Sequence, residues 1–177
     1  VMNKLVLFLL AAIALTAFTL TVKLPELDKS PHDIAHHKVL MQPKIKVLYG
    51  RPSKNGREIF GELVKYGKTW RTGANESTEI KFYQDVKIDG NVVKAGTYSL
   101  FTVPEPTEWT IILNSDLDTW GHYQYKKKND VLRVSAKATS SDESVESFTI
   151  AFDKTSSGAD MVLAWDKTRV TLPIVIE

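Results

Sequence analysis

Apolar and polar residues alternate with a period of two along most of the chain from residue 44 onwards, the pattern of half-buried β-strands. Short strands at regular spacing, separated by Gly- and Pro-containing turns, are typical of sandwiches and jelly rolls. We therefore predict an all-β domain over residues 44–177, an antiparallel β-sandwich or jelly roll of about nine strands. The main alternating segments are residues 44–47, 79–84, 97–103, 109–113, 132–136, 148–152, 161–165 and 170–176.

Turn signals refine this pattern in the middle of the chain. The Asp89-Gly90 pair separates two short apolar segments, residues 86–88 and 91–93, and predicts a tight hairpin. The alternation slips between Leu100 and Phe101. That slip predicts either a β-bulge or a strand that is covered on both faces.

Two short helices are expected beside the strands. Residues 59–64 place their apolar side chains at a spacing of three to four. Ser30-Pro31, followed by Asp33, is typical of a helix start, with Ser as the N-cap and Pro at the first helical position. We predict a turn or two of helix there, within a tether of residues 23–43.

The N-terminal segment, residues 1–22, contains an uncharged apolar run over residues 5–22 that follows Lys4. The run is long for a cleaved signal peptide, lacks a clean Ala-x-Ala site, and just satisfies the length of a membrane-spanning helix. Lys4 favours a cytoplasmic N-terminus and an exported body. We expect a domain on the periplasmic side of a bacterial membrane, either anchored through residues 5–22 or released after cleavage.

Composition excludes several classes of function. The chain has no Cys, which removes disulfides, Cys-ligated zinc, iron–sulfur clusters and thiol nucleophiles. A net charge of +2 gives no electrostatic footprint for nucleic acid. The sequence shows no Gly-rich phosphate loop, nucleophile elbow or zinc-protease helix, so no cofactor is expected.

The polar segment 70–76, which precedes a predicted strand, is the first candidate site. Gly73 permits a turn with positive φ, Arg offers a planar fork for carboxylate or phosphate, and Asn both donates and accepts hydrogen bonds. The alternative is a purely structural turn in which Arg71 pairs with Glu76 and the Asn caps the backbone. The ligand-binding candidates here, expected to converge on one pocket, are Arg51, Trp70, Arg71, Asn75 and Glu76.

The second candidate site is the aromatic and acidic loop of residues 116–125. Its candidate ligand-binding residues are Trp120, His122 and Tyr123. Such loops suit sugar stacking or a protein interface, and an Asp there could pair with Glu76 for acid–base catalysis. The alternative is a loop whose aromatic side chains fold back as a small satellite core.

A metal site is the third candidate. His32 and His36 are four residues apart and would share one face of the predicted tether helix. Imidazoles at that spacing can chelate Zn²⁺ or Cu²⁺, but a stable site needs further ligands. The alternative is a solvated helix near the membrane surface.

Long stretches of the chain resemble an exported bacterial family known as domain of unknown function 2911. The matching strings are LDKSP at 27–31, YGRPSKNGREIFG at 49–61, YGKTWRTGANESTEI at 66–80, VKAGTYSLFTVP at 93–104, EWTIILN at 108–114 and LAWDKTRVTLPI at 163–174. The resemblance implies an exported β-rich domain. It implies no activity and no catalytic residues.

Taken together, these features favour a binding or accessory subunit of an envelope or membrane-protein complex over an enzyme. The alternative is an envelope hydrolase or carbohydrate-binding module that uses the polar loops at 70–77 and 116–125, with a glycan as its ligand. The membrane, through residues 5–22, and a membrane-protein complex are the expected partners.

Overall fold

A computed structural model describes residues 22–176, which are all-β apart from one 3-10 helix at Lys127–Asn129. Every pair of neighbouring strands is antiparallel. The strands are β1 His32–Val39, β2 Gln42–Gly50, β3 Thr78–Phe82, β4 Val86–Ile88, β5 Asn91–Val93, β6 Gly96–Val103, β7 Glu108–Asn114, β8 Asp130–Thr155 and β9 Gly158–Ile176.

The nine strands form one open sheet in the order β1-β2-β3-β6-β7-β8-β9-β4-β5. Chain neighbours are sheet neighbours except at the β4–β5 hairpin, which leaves the sheet between β3 and β6 and pairs with the end of β9, Val86 opposite Ile176. The prediction of about nine antiparallel strands is confirmed, as is the Asp89-Gly90 hairpin. The strand order is a meander with one inserted hairpin, not a jelly roll.

The last two strands are long and bent. The predicted segments 132–136 and 148–152 are two parts of β8, and 161–165 and 170–176 are two parts of β9. Between Ser140 and Thr149, β8 carries more residues than the facing part of β9, so the pairing register shifts twice. Extra residues on one strand bend a sheet, and this bend folds the sheet over one core.

The core lies between the two halves of the folded sheet, a sandwich-like arrangement. Tyr49 of β2 meets Phe148 of β8 edge to face at 5.7 Å, and its Oη accepts a hydrogen bond from the Ile150 backbone N–H at 3.1 Å. Trp70 stacks on Trp165 of β9 at 5.9 Å. Cross-layer aromatic contacts of this kind bury large apolar areas and contribute heavily to stability.

Strand β6 settles the question raised by its slipped alternation. Leu100 and Phe101 are both buried, on opposite faces, and the pairing of β6 with β3 and with β7 shows no register shift. The strand is therefore covered on both faces. On its outer face, Phe101 packs against Tyr125 at 5.1 Å.

Both predicted helices are wrong. Residues 32–39, assigned to a tether with a short helix, form β1, in which Ala35 and His37 are buried between exposed neighbours. The predicted domain boundary at residue 44 thus falls inside the β1–β2 hairpin. Residues 59–64 form turns, closed by a Gly61 N–H to Val64 carbonyl hydrogen bond. In β1, pairing with β2 overrides the local helix signal, whereas residues 59–64 are closed by hydrogen bonds among themselves.

The predicted signal peptide or anchor lies outside the described residues, apart from Val22. Within residues 22–176, no helix is both long enough and apolar enough to cross a bilayer. Residues 22–29 are exposed coil that leads into β1.

Asp166 at the sheet bend gives the fold a testable pH dependence. Its Oδ1 accepts hydrogen bonds from Lys54 Nζ at 2.6 Å and Ser144 Oγ at 2.8 Å, and the bond from Lys54 is the main reason that its pKa lies below 3.8. A carboxyl whose pKa is lowered in the folded state contributes stability above its unfolded pKa, and the contribution is lost as the pH falls through the folded value.

We therefore expect Asp166→Asn to lower the free energy of unfolding at pH 7 by about 0.5–1 kcal/mol. The difference from the parent shrinks as the pH drops below about 4. Urea unfolding at several pH values measures this difference in unfolding free energy. Asp142→Asn, which changes an exposed carboxyl, is the control. A deficit in Asp166→Asn that does not change with pH would contradict the assignment.

Candidate functional site

The two polar loops singled out in the sequence run side by side in the structure. The Gly121 N–H donates to the Asn75 carbonyl at 3.0 Å, and the Ser77 N–H donates to the Thr119 carbonyl at 2.9 Å. Glu76 and Trp120 form an isolated antiparallel bridge between the same segments. Residues 70–77 and 116–125 therefore form one continuous surface at the end of β1 where the chain enters from residue 31.

Buried hydroxyl groups hold these loops to the sheet. Ser77 Oγ lies 2.9 Å from Thr119 Oγ1 and 3.3 Å from Ser99 Oγ of β6. Thr72 Oγ1 donates to Thr102 Oγ1 at 3.1 Å. Because buried hydroxyls are costly to leave unpaired, this network fixes the loop positions. Sequence reasoning missed it, since Ser and Thr residues carry no distinctive pattern.

A cleft of about 460 Å³ opens beside the joined loops. Its rear wall is formed by Trp70 and Trp165, whose indole N–H groups donate to the carbonyls of Gly73 and Glu146, both at 3.1 Å. The wall therefore offers apolar ring edges and has no spare donor. The cleft is lined by Ser30, Pro52, Arg57, Leu63, Val64, Lys65, Lys68, Thr69, Trp70, Arg71, Gly73, Ala74, His122 and Trp165.

The cleft is strongly cationic. Four of its lining residues are Lys or Arg, and none of those described is Asp or Glu. Lys65 pairs with Glu62 outside the lining at 3.2 Å, whereas Arg57 donates only to backbone carbonyls. Such a lining favours a negatively charged ligand, because a concave surface of one sign concentrates the opposite charge.

Arg71 presents the most specific group in the cleft. Its Nη1 donates to the Asn75 carbonyl at 3.0 Å, while its buried Nε has no partner among the described residues. Gly121, at φ 64°, passes so close that a Cβ there would lie 3.1 Å from Nη1. The edge of a guanidinium that carries Nε has the fork geometry that binds a carboxylate or a phosphate through two hydrogen bonds.

His122 lies next to this guanidinium. Burial, and to a lesser extent the charge of Arg71, lowers the pKa of His122 below 6.5, so the ring is neutral at pH 7. Its buried Nδ1 has no partner among the described residues, and the ring stacks on Tyr123 at 5.0 Å. Two residues of one cleft, Arg71 and His122, thus each carry a buried polar atom without a partner among the described residues.

Other predicted site residues have structural roles. Arg51 does not join the cleft: it donates to Asp33 at 2.9 Å and to Thr149 at 2.9 Å, linking β1, β2 and β8. The expected convergence of Arg51 with segment 70–76 is wrong. Asn75, at φ 63°, shapes the turn.

Glu76 also lies outside the lining. It pairs with His32 at 3.1 Å, and not with Arg71 as the structural alternative supposed.

Trp120 and Tyr123 are neither cleft walls nor core. Their exposed fractions are 58% and 73%, so the alternative of aromatics folding back as a satellite core holds only for Tyr125, which packs on Phe101. The two exposed rings flank His122 in sequence. Exposed aromatic rings such as these suit stacking with a ligand or partner.

The metal hypothesis loses its geometric premise. His32 and His36 lie on a strand, where four residues span about 13 Å, too far for one ion to bridge. Residues 22–176 contain no group of three or more His, Asp or Glu side chains placed to hold a metal.

Several cleft residues gave no signal in the sequence. Lys65 and Lys68 look like ordinary surface charges, and Trp165 belongs to a strand almost a hundred residues after Trp70. Only the folded sheet brings Trp165 behind the turn.

The fold and the cleft define a class: an all-β antiparallel protein with a cationic, tryptophan-backed cleft where two polar loops meet. The model of the family described as "Protein of unknown function (DUF2911)" matches residues 30–174. The chain belongs to this family, which confirms the resemblance seen in the sequence. Comparison with curated proteins found no match, and comparison with solved structures found none either.

Proposed function

We propose that this protein is a binding module of the bacterial envelope that holds the anionic group of its ligand in the cleft. The observation that carries the proposal is that Arg71 and His122 line the same cleft, and that each has a buried polar atom without a partner among the described residues. The lining also has four cationic side chains and no described carboxylate. Buried polar atoms are normally satisfied, so two together suggest a missing ligand.

The oxyanion would be a carboxylate or a phosphate. It would accept two hydrogen bonds from the Arg71 fork and one from His122 in its Nδ1–H tautomer. Lys68 at the rim would add long-range attraction. The tryptophan edges behind them would contact an apolar part of the same ligand.

The cleft supports binding better than hydrolysis. Glycoside hydrolysis generally needs two carboxyl groups placed across the scissile bond. The described lining contains none, and Glu76 is paired with His32 outside it. The glycan alternative therefore survives as a carbohydrate-binding function, in which an acidic sugar stacks on Trp120 and Tyr123 and places its carboxylate in the cleft.

Location and partners belong to the same proposal. The apolar run 5–22 after Lys4 supports export, with the domain on the periplasmic side, either anchored or released. An anchored domain could act as an accessory subunit of a membrane-protein complex, with the exposed Trp120 and Tyr123 as its contact surface. Purification from detergent-solubilised membranes would reveal a stoichiometric partner.

Arg71→Gln is expected to weaken binding of inorganic phosphate or benzoate by about tenfold or more, because charged hydrogen bonds contribute about 1.5–3 kcal/mol. Arg71→Lys should also bind weakly, since an ammonium cannot reproduce the fork. Quenching of tryptophan fluorescence, with Trp70 and Trp165 in the wall, reports the titration.

Lys137→Gln is the control, because it removes one exposed positive charge on β8 away from the cleft. Its binding should match the parent. Equal binding by the parent and Arg71→Gln would contradict the proposal, as would a parent that binds none of phosphate, benzoate and an acidic oligosaccharide.

A further inference from the structure

The tip of the β1–β2 hairpin carries an unusual pair of residues. Val39 pairs with Gln42, so Leu40 and Met41 form a two-residue turn, with φ values of 46° and 67°. Turns with both central residues at positive φ strongly favour Asn and Gly. Leu40 and Met41 are nevertheless 92% and 84% exposed. Neither backbone preference nor burial accounts for two large apolar side chains at this tip.

Positive charge surrounds the tip. Residues 34–48, which make up nearly all of the hairpin, contain three lysines and no acidic residue. Lys38 and Lys44 flank the turn, and Lys46 stands opposite His36 on the adjoining face. Lys44 donates to the Gln84 side chain at 2.6 Å, a neutral partner that leaves its charge uncompensated.

A second cleft, of about 330 Å³, lies near the tip end of the hairpin, where Val39 and Lys44 line it. Its lining includes Lys44, Lys154 and His37 beside the turn that joins β8 to β9. His37 is only 5% exposed, and its Nε2 has no partner among the described residues. The cleft thus adds a cationic pocket with an orphaned polar atom directly behind the apolar tip.

We propose that the β1–β2 hairpin docks on a bilayer containing anionic lipid. Leu40 and Met41 enter the interfacial region, and the lysines bind lipid phosphates, with one headgroup in the cleft beside His37. Apolar side chains rimmed by Lys are the combination that binds membrane surfaces through both apolar burial and attraction to anionic lipid.

The position of the hairpin fits this occupant. β1 is an edge strand of the sheet, so a bilayer lying along it meets the tip and also the stretch where the chain enters β1. In that stretch Leu24 and Leu27 are 79% and 86% exposed. The inference goes beyond the anion-binding cleft, which lies at the other end of β1, about 26 Å from the tip.

Absence of Cys from the chain permits a site-specific test. Gln42→Cys, beside the tip, and Val92→Cys, exposed on the opposite edge strand β5, would each carry a spin label on the full chain in vesicles. In phosphatidylglycerol–phosphatidylcholine vesicles, we expect the label at 42 to become severalfold less accessible to a water-soluble relaxation agent. The same label should become more accessible to oxygen, which concentrates in the bilayer. The label at 92 should remain aqueous.

A second variant separates docking from folding. Leu40→Asn with Met41→Gly suits the turn better, so it should unfold at a higher denaturant concentration while the label at 42 returns to water. A label at 42 that stays aqueous in the parent overturns the proposal. So does equal protection in pure phosphatidylcholine, which would remove the role of the lysines, or protection in buffer without lipid or detergent, which would indicate contact between copies of the protein.

Discussion

Gly50→Ala is expected to displace the 70–77 turn from the sheet and to lower the free energy of unfolding by about 1–3 kcal/mol or more. A Cβ at Gly50 would overlap the Ala74 carbonyl, and one at Gly73 would lie 2.8 Å from the Gly50 carbonyl. The two backbones also share a hydrogen bond from Ala74 N–H to the Gly50 carbonyl at 3.2 Å. Neither backbone segment can move away from the other without breaking that hydrogen bond.

Denaturant unfolding measures the loss of stability, and phosphate or benzoate titration reports whether the cleft survives. Gly56→Ala is the control: it has open space around its Cβ and a φ of 71°, so it incurs only the conformational cost of about 1 kcal/mol. If Gly50→Ala and Gly56→Ala had the same small effect, the close approach would not be what fixes the turn.

Trp109→Ala is expected to lower the free energy of unfolding by about 3–5 kcal/mol. Trp109 of β7 is 2% exposed and meets Phe60 at 4.8 Å and Trp70 at 6.1 Å, so its removal leaves a cavity at the centre of the aromatic cluster. The same cluster supports the rear wall of the cleft, and ligand binding should weaken together with stability.

The matched control is Trp120→Ala, which removes the same side chain from a position that is 58% exposed. Its effect on unfolding should stay within about 0.5 kcal/mol. The test is a comparison of the urea unfolding midpoints of the two variants, provided that the dependence of the unfolding free energy on urea concentration is unchanged. Similar midpoints for the two variants would mean that Trp109 does not lie in the core as described.

The strands were predictable where the information is local. Alternation identified most of the sheet, and Asp89-Gly90 identified the β4–β5 hairpin, because side-chain direction and turn geometry depend on neighbouring residues. β1 was not predictable in the same way. Ser30-Pro31 carries a helix-start signal, and pairing with β2 outweighs it once the sheet forms.

The candidate site was predictable in part. Trp70, Arg71 and His122 were singled out, and all three line the cleft. Whether the 70–77 and 116–125 loops would meet could not be known, because strand order and the β8 bend bring them together. Trp165 reaches the cleft through the same bend, and no pattern around it in the sequence points to a ligand.

The strand periodicity, the main turns, the absence of Cys chemistry and the family could all be read from the amino-acid sequence. These properties depend on composition and on residues close together in the chain. Which polar groups lack a partner within the protein could be seen only in the folded sheet. Arg51 and Glu76 are occupied by partners far away in the chain, while Arg71 and His122 each keep an unpaired buried atom, because hydrogen-bond satisfaction depends on long-range packing.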